Sequence, residues 1–369
     1  MPSTITHWME GTTAMVMLAE HYDFVIGGDP DRDTIDLAVL ETGTGRVLAH
    51  VAETADGAGY RRMLAWADEH APGRRIWALE GTGSFAAGLV VALTDAGETV
   101  VEVGALKRSR GAKNDRLDAI RAARQALARD EQGAPRAGGL REALRMVFAC
   151  RQGVLVSRTK AINELKSLIV VAPEQIRAQL RGRSLLIQLT QIEELHIPAT
   201  APVQDRLSVF TLQSITARVR FLSTQLAELD PQLLSLIKAH PAGPALLDEP
   251  GVGPVVAAQL LISWSHHGRV RNEAAFAALA GVAPLETSSG QRSRHRLNRG
   301  GDRALNRALH TVAVTRMRCH PETCAYEARR TTEGKTHRDI RRSLKRALAR
   351  RLYRRIEAAV HLETRLTAA

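Results

Sequence analysis

The 369-residue sequence predicts an α/β domain at the N-terminus, then a helical segment and a mostly α, strongly basic C-terminal domain. Three observations carry that reading. Apolar residues recur at the period of strands up to about residue 103 and at helical spacing after residue 139. A run of turn formers, residues 130–139 (DEQGAPRAGG), separates the two regimes. Charge is lopsided as well: from Gln291 to Arg355 stand 20 Lys and Arg against 5 Asp and Glu, a balance of +15 that exceeds the +12 of the whole chain.

Residues 1–20 show no clear period and form an N-terminal extension, so the first domain is placed at 21–130. Asp23–Gly28 is a short apolar strand ending in Asp29. Thr34–Glu41 and Arg46–Val51 alternate and are rich in Val, Ile and Leu, with a Gly43–Gly45 turn between them. A helix follows over Tyr60–His70, then a strand at Arg75–Leu79, a helix over Phe85–Ala96 and a strand at Thr99–Val103. Three strands followed by helix, strand, helix, strand is the order of a ribonuclease H-like fold.

Residues 139–240 read as a helical linker or coiled coil. Leu212, Ile215, Val219, Leu222, Leu226, Leu229, Leu233 and Leu236 are spaced alternately by three and four, an a/d seam. Pro231 falls inside it, so one helix or two with a kink are equally expected. The seam fits packing within a helical hairpin and equally a dimerising coiled coil. The last domain is placed at 241–356.

Composition excludes several classes. No apolar run approaches the roughly 20 residues a membrane span needs. The first 18 residues contain Glu10 and no basic leader segment, so a cytoplasmic protein is expected. Three cysteines, Cys150, Cys319 and Cys324, make no disulfide framework, and the Cys319–Cys324 stretch lacks the partner pair a zinc site requires. Aromatic residues are 4% of the chain, which disfavours base-stacking platforms and favours contacts to phosphate. A net charge of this sign makes an acidic polymer the natural partner.

Four carboxylates fall where the first domain would gather them. Asp29 leaves the first strand, Glu80 directly follows the fourth in Glu80-Gly-Thr-Gly83, and Asp115 and Asp118 open a helix three residues apart, on one face. Gathered carboxylates repel unless cations neutralise them, and oxygen donors suit Mg²⁺ or Mn²⁺. Asp115 and Asp118 also suit a helix N-terminus on dipole grounds alone, and Asp31, Asp33 and Asp36 compete with Asp29 for the first position.

In the last domain, Pro250-Gly251-Val-Gly253-Pro254 has the form of a helix-hairpin-helix turn, whose glycines let backbone N–H groups approach phosphate. Downstream, Ser288-Ser289-Gly290 lies among Arg292, Arg294, Arg296 and Arg299, all candidate DNA contacts. A serine hydroxyl in such a loop is ordinarily a phosphate contact; it becomes a nucleophile only where a base or metal activates it.

The ordered set of motifs resembles the insertion-sequence transposases of the DEDD type, from about Asp23 to Arg355. It comprises Gly27-Gly28-Asp29-Pro30 with Asp33-Thr34, Glu80-Gly-Thr-Gly83, Asn114-Asp115-Arg-Leu-Asp118, Pro250 to Pro254, Pro284 with Ser288-Ser289-Gly290, and Glu333-Gly-Lys335 followed by Arg341 to Arg346. The resemblance implies that Asp29, Glu80, Asp115 and Asp118 form a RuvC-like metal site and that Ser289, rather than Ser288, links covalently to DNA. It further implies element-end and target DNA as substrates, a structured guide RNA, a homo-oligomer completing the site across protomers, a nucleoid-associated location and no membrane. Two other functions share these features: a RuvC-like structure-specific junction endonuclease with water as nucleophile, and a non-catalytic helix-hairpin-helix DNA-binding protein.

Overall fold

The computed structural model describes residues 18–104, 115–128, 133–136, 138–286, 295–296, 298 and 300–368. The chain divides into two compact units, Met1–Gly138 and Gly139–Ala369.

In the first unit a helical turn, α1 (Leu18–His21), precedes an antiparallel meander of β1 (Phe24–Pro30), β2 (Thr34–Glu41) and β3 (Val47–Thr54). Helix α2 (Gly57–His70) begins where the Asp56 carboxylate accepts the backbone N–H groups of Ala58 and Gly59. It leads into β4 (Arg75–Leu79), parallel to β1, and α3 (Ala87–Asp95) leads into β5 (Val100–Glu102), parallel to β4. The order across the sheet is β3-β2-β1-β4-β5, so β1 is central and the sheet is mixed. Helix α4 (Asp115–Leu127) completes the unit.

Both faces of the sheet are covered, and strand alternation decides which residue goes where. Ile26, Leu37, Val39, Trp77 and Leu79 bury against Met63, Ala67, Leu89 and Leu93 of α2 and α3. Val25, Ala38, Leu40, Ile76 and Ala78 bury against Ala119, Ile120, Ala122, Ala123 and Ala126 of α4. Each such large side chain contributes about 1.5–3 kcal/mol by leaving water. Strand β1 runs two residues beyond the expected exit: Asp29 pairs with Asp36 and Pro30 with Ile35 before the ladder ends.

The second unit is helical, as its spacing predicts. It begins with α5 (Gly139–Val171), α6 (Glu174–Leu180), α7 (Leu185–Glu194) and α8 (Val203–Ala239). Helices α5 and α8 run antiparallel, tied by Arg151–Asp230, Arg158–Ser223 and Arg218–Glu164. Leu212, Ile215 and Val219 of the predicted seam bury against Ala161, Leu165 and Ile169 of α5, so part of the seam packs within the chain. Pro231 does not split the helix; α8 is continuous through it. Elsewhere on α8, Val203, Leu207, Phe210 and Phe221 stay exposed.

Beyond α8 come α9 (Gly243–Leu247), α10 (Pro254–Trp264), α11 (Glu273–Leu279), a two-stranded ladder of β6 (Leu285–Glu286) and β7 (His295–Arg296), then α12 (Arg303–Cys319), α13 (Pro321–Thr332) and α14 (His337–Ala368). The sequence does not predict this ladder. Helix α10 is the centre of this bundle: Leu260, Leu261 and Trp264 bury with Phe276, Leu309, Val312, Leu352 and Ile356, and Leu144, Leu233 and Ile237 join the base of the α5–α8 hairpin to the same core.

A buried carboxylate locks the bundle. The Glu249 side chain is 4% exposed; its Oε2 accepts from Arg316 at 2.8 Å and from Arg351 at 3.1 Å, and Arg355 lies 3.6 Å from Oε1. Arg316 is itself buried, and its Nε donates to the Pro250 carbonyl at 2.7 Å, so one guanidinium joins the α9–α10 turn to α12. Burial pushes the Glu249 carboxyl up, but Arg316 and Arg351 outweigh it and hold the group below its ordinary value. The stability it contributes is therefore present above the unfolded carboxylate range and lost as pH falls through the lowered folded value. Glu249→Gln leaves a buried cation without its counter-charge and should destabilise this unit by about 3 kcal/mol. Urea denaturation at several pH values checks it: the variant should have a lower midpoint at pH 7 and a flatter acid limb, whereas an unchanged midpoint would show the network to be idle.

Candidate functional site

The carboxylates of the first unit meet because of one close approach. Gly27 of β1 faces α4, and a Cβ added there would lie 2.1 Å from the Ala119 carbonyl oxygen and 2.6 Å from the Ala123 nitrogen. Only a residue without a side chain lets the helix backbone rest on the strand. The α4 face is made of alanines, Ala119, Ala122, Ala123 and Ala126, which permits the same closeness from the other side. Two residues after Gly27, Asp29 points to the same face of the sheet; one turn before Ala119 and Ala122 on the helix stand Asp115 and Asp118.

Consequently Asp29, Asp115 and Asp118 each offer a carboxylate oxygen within 4.8 Å of the others, and all three are half-buried. Arg121, one turn along α4, donates to Asp118 and offsets part of the repulsion. Three hard oxygen donors at that separation fit a Mg²⁺- or Mn²⁺-sized cation. Glu80 stands outside this trio. It lies one residue past Leu79, the register partner of Gly28, and so level with Asp29 on the neighbouring strand. By alternation with Ile76 and Ala78 it belongs to the α4 face, and Gly81, at φ 64°, turns the chain immediately after it. Of the competing acids, Asp36 lies opposite Asp29 and is held by His50 Nε2 at 3.0 Å, while Asp33 is exposed and paired with Arg32. His50 and Arg121 were missed from sequence; only the i,i+3 spacing of Asp118 and Arg121 signalled the second.

In the second unit the turn Glu249–Gly253 has Gly251 at φ 80°, with Gly253, Pro254 and Val255 exposed at its tip, where α10 begins. The N-terminal end of an eleven-residue helix is thus open to solvent. The basic stretch divides into two parts. Arg350 and Arg354 are drawn to Glu273, and Arg351 and Arg355 to Glu249, so four of the ten Lys and Arg of α14 serve the fold. The first half of α14 keeps its positive field. Lys345 Nζ donates to Asn306 at 2.9 Å, and burial followed by the neighbouring Arg342 and Arg341 pushes its ammonium below the ordinary lysine value. Burial, Lys345 and Arg341 likewise lower His310. Ser288, Ser289, Arg292, Arg294 and Arg299 lie outside the described residues, as does the side chain of Arg296; β6 and β7 flank the serine loop.

Comparison with known proteins matches both units. The DEDD transposase family of the IS110 type matches residues 26–172. The transposase family described as IS116/IS110/IS902 matches residues 244–328, and the two together take in more than half of the chain. Among curated relatives, an uncharacterized 43.6 kDa protein of insertion element IS110 from Streptomyces coelicolor is 36% identical over 126 residues, 34% of this chain and 31% of that protein. The match thus spans under a third of that relative. An uncharacterized 42 kDa protein of insertion element IS900 from Mycobacterium paratuberculosis is 25% identical across 86% of this chain and 88% of its own length.

The dependence of the carboxylate trio on Gly27 is directly testable. Gly27→Ala forces α4 off the strand and should cost about 3 kcal/mol. Gly43→Ala, at a position with nothing within 4 Å, should cost far less. Chemical denaturation compares the two, and equal stability would mean that α4 does not sit on β1 as described.

Proposed function

The chain belongs to the IS110-type family of DEDD transposases, and from that membership we propose that it cleaves and rejoins DNA strands at the ends of an insertion element. The observation that carries the proposal is the meeting of Asp29, Asp115 and Asp118 within 4.8 Å. The sheet order β3-β2-β1-β4-β5 supports a ribonuclease H-like, RuvC-like domain beneath them. Glu80, directly after β4 and level with Asp29, is the fourth member of the set. These carboxylates would hold Mg²⁺ or Mn²⁺, which supplies charge neutralisation for an attacking and a leaving oxygen at phosphorus. Asp29 comes from the sheet and the two other acids from α4, so the trio stays together only while α4 rests on β1.

Ser289 is the proposed nucleophile. Its Oγ bonds to phosphorus as the P–O bond to the neighbouring sugar breaks; the serine proton passes to solvent and the released sugar oxygen takes one up. DNA and a structured guide RNA are the proposed partners. The exposed turn at Gly251 and Gly253 meets phosphate through backbone N–H groups, and Arg292, Arg294, Arg296 and Arg299 join the first half of α14 as charge contacts. Arg341, Arg342 and Lys345 stand within one turn of one another on α14, and a bound polyanion relieves their mutual repulsion. Exposed Val203, Leu207, Phe210 and Phe221 on α8 support a homo-oligomer.

The experiment incubates the protein with labelled element-end DNA and Mg²⁺, denatures it and looks for DNA attached to the polypeptide. Asp29→Asn, Glu80→Gln and Asp118→Asn should each lower strand cleavage at least a hundredfold while DNA binding persists, because each amide keeps the size but not the charge of its acid. Ser289→Ala should abolish the adduct, and Ser288→Ala should keep it. Cleavage without any adduct would instead point to a junction endonuclease, and binding without cleavage to a non-catalytic DNA-binding protein.

A further inference from the structure

A second constellation of ligand-bearing side chains lies at the far end of α14, away from the basic first half of that helix. Glu357 is held from two directions: Trp264 Nε1 donates to Oε1 at 2.7 Å, and His267 Nδ1 lies 2.5 Å from Oε2. One turn on, His361 Nδ1 donates to the Glu357 backbone carbonyl at 2.9 Å. The two imidazoles meet edge to face with centroids 4.5 Å apart. One potential ligand atom from each of His267, Glu357 and His361 falls within 4.8 Å of the others. The Glu357 side chain is 14% exposed and the histidines are 57% and 59% exposed, so the carboxylate is anchored while the imidazoles stand open to solvent.

The backbone reaches this arrangement through an unusual turn. Helix α10 ends at Trp264, and the next residue, Ser265, adopts φ 74° and ψ −70°, the only positive φ of a non-glycine among the described residues. The His266 N–H donates back to the Trp264 carbonyl at 3.2 Å, which closes a three-residue γ-turn of the rare, strained form. Such a conformation persists only where its surroundings over-determine it. Here the turn reverses the chain directly after Trp264, so that Trp264 and His267 reach the same carboxylate.

We infer that His267, Glu357 and His361 form a binding site for a borderline transition-metal dication, Zn²⁺ being the best fit. Two imidazole nitrogens and one carboxylate oxygen make a three-ligand zinc set with one position open to solvent. The surrounding hydrogen bonds orient the ligands: the His361 bond to a carbonyl puts its proton on Nδ1 and leaves Nε2 as the basic nitrogen, and Trp264 anchors Glu357 through Oε1. The His267–Glu357 hydrogen bond is the contact the ion replaces, and the proton shared there goes to solvent. Imidazole donors disfavour Mg²⁺, so this site and the three aspartates of the first unit select different ions. The bound ion cross-links the end of α10 to the last third of α14 and stiffens the helix that carries the basic face.

The test uses the untagged full-length chain carrying Asp29→Asn and Asp118→Asn, which removes the carboxylate trio as a competitor, and titrates Zn²⁺ against a chromophoric chelator. One Zn²⁺ per chain should bind, with affinity at least tenfold weaker in His267→Ala and in His361→Ala. Thermal melting should show Zn²⁺ raising the Tm of the parent and not of the double variant. Both histidines are exposed, so the variants should fold, and circular dichroism without metal checks it. Cys319→Ser with Cys324→Ser should leave binding unchanged. Equal zinc affinity in the His267→Ala, His361→Ala double variant, no zinc binding by the parent, or equal competition by Mg²⁺ would each overturn the assignment.

Discussion

The first unit depends on the contact between the backbone of α4 and strand β1 at Gly27. A helix lies on a sheet at a distance set by the side chains between them, and here those have been reduced to glycine on one side and alanines on the other. The consequence is chemical as well as structural. Carboxylates have short side chains, so acids on a strand and on a helix come within a few ångströms of one another only where the two backbones are already close. Asp29 sits two residues beyond the glycine; Asp115 lies four residues before Ala119, and Asp118 four before Ala122. The small residues that close the packing thus also set the spacing of the acids. Their mutual repulsion works against the packing, with Arg121 offsetting one of the three charges.

The second unit solves the opposite electrostatic problem. A helix as basic as α14 repels itself, yet its central turns must enter a core with Leu348, Leu352 and Ile356. Two acids, Glu249 and Glu273, absorb four of its arginines where it packs, and a fifth, Arg316, approaches Glu249 from α12. Neutralisation is thereby concentrated where the helix is buried. Ahead of that stretch only Asp339 stands against Arg338, Arg341, Arg342, Lys345 and Arg346, and this surplus raises the local potential, which is the condition for holding a polyanion.

Local signals carried much of this. Strands β2 and β4 have the predicted bounds, because turn formers flank them and their apolar residues alternate or run continuously. Strand β1 extends further than predicted: the apolar run stops at Gly28, but Asp29 and Pro30 still pair with β2. The continuity of α8 through Pro231 was not legible: one missing hydrogen bond is tolerated when the flanking turns are held by a long partner helix. The seam on α8 left hairpin and coiled coil open, because the same heptad spacing serves both, and the packing of Leu212, Ile215 and Val219 on α5 becomes visible only in three dimensions. Pairings between residues distant in sequence were invisible altogether. Glu249 and Arg351 are 102 positions apart and His267 and Glu357 are 90 apart, and no periodicity connects them.

If the sheet and α4 together build one cation site, crystals of the full chain grown with Mn²⁺ will show the ion there. An anomalous difference map should place manganese in direct contact with carboxylate oxygens of Asp29, Asp115 and Asp118, at about 2.1–2.2 Å. Glu80 should approach it directly or through a water molecule. A map with no peak among these acids, or with manganese held by Asp115 and Asp118 while Asp29 stands away from it, would contradict the account.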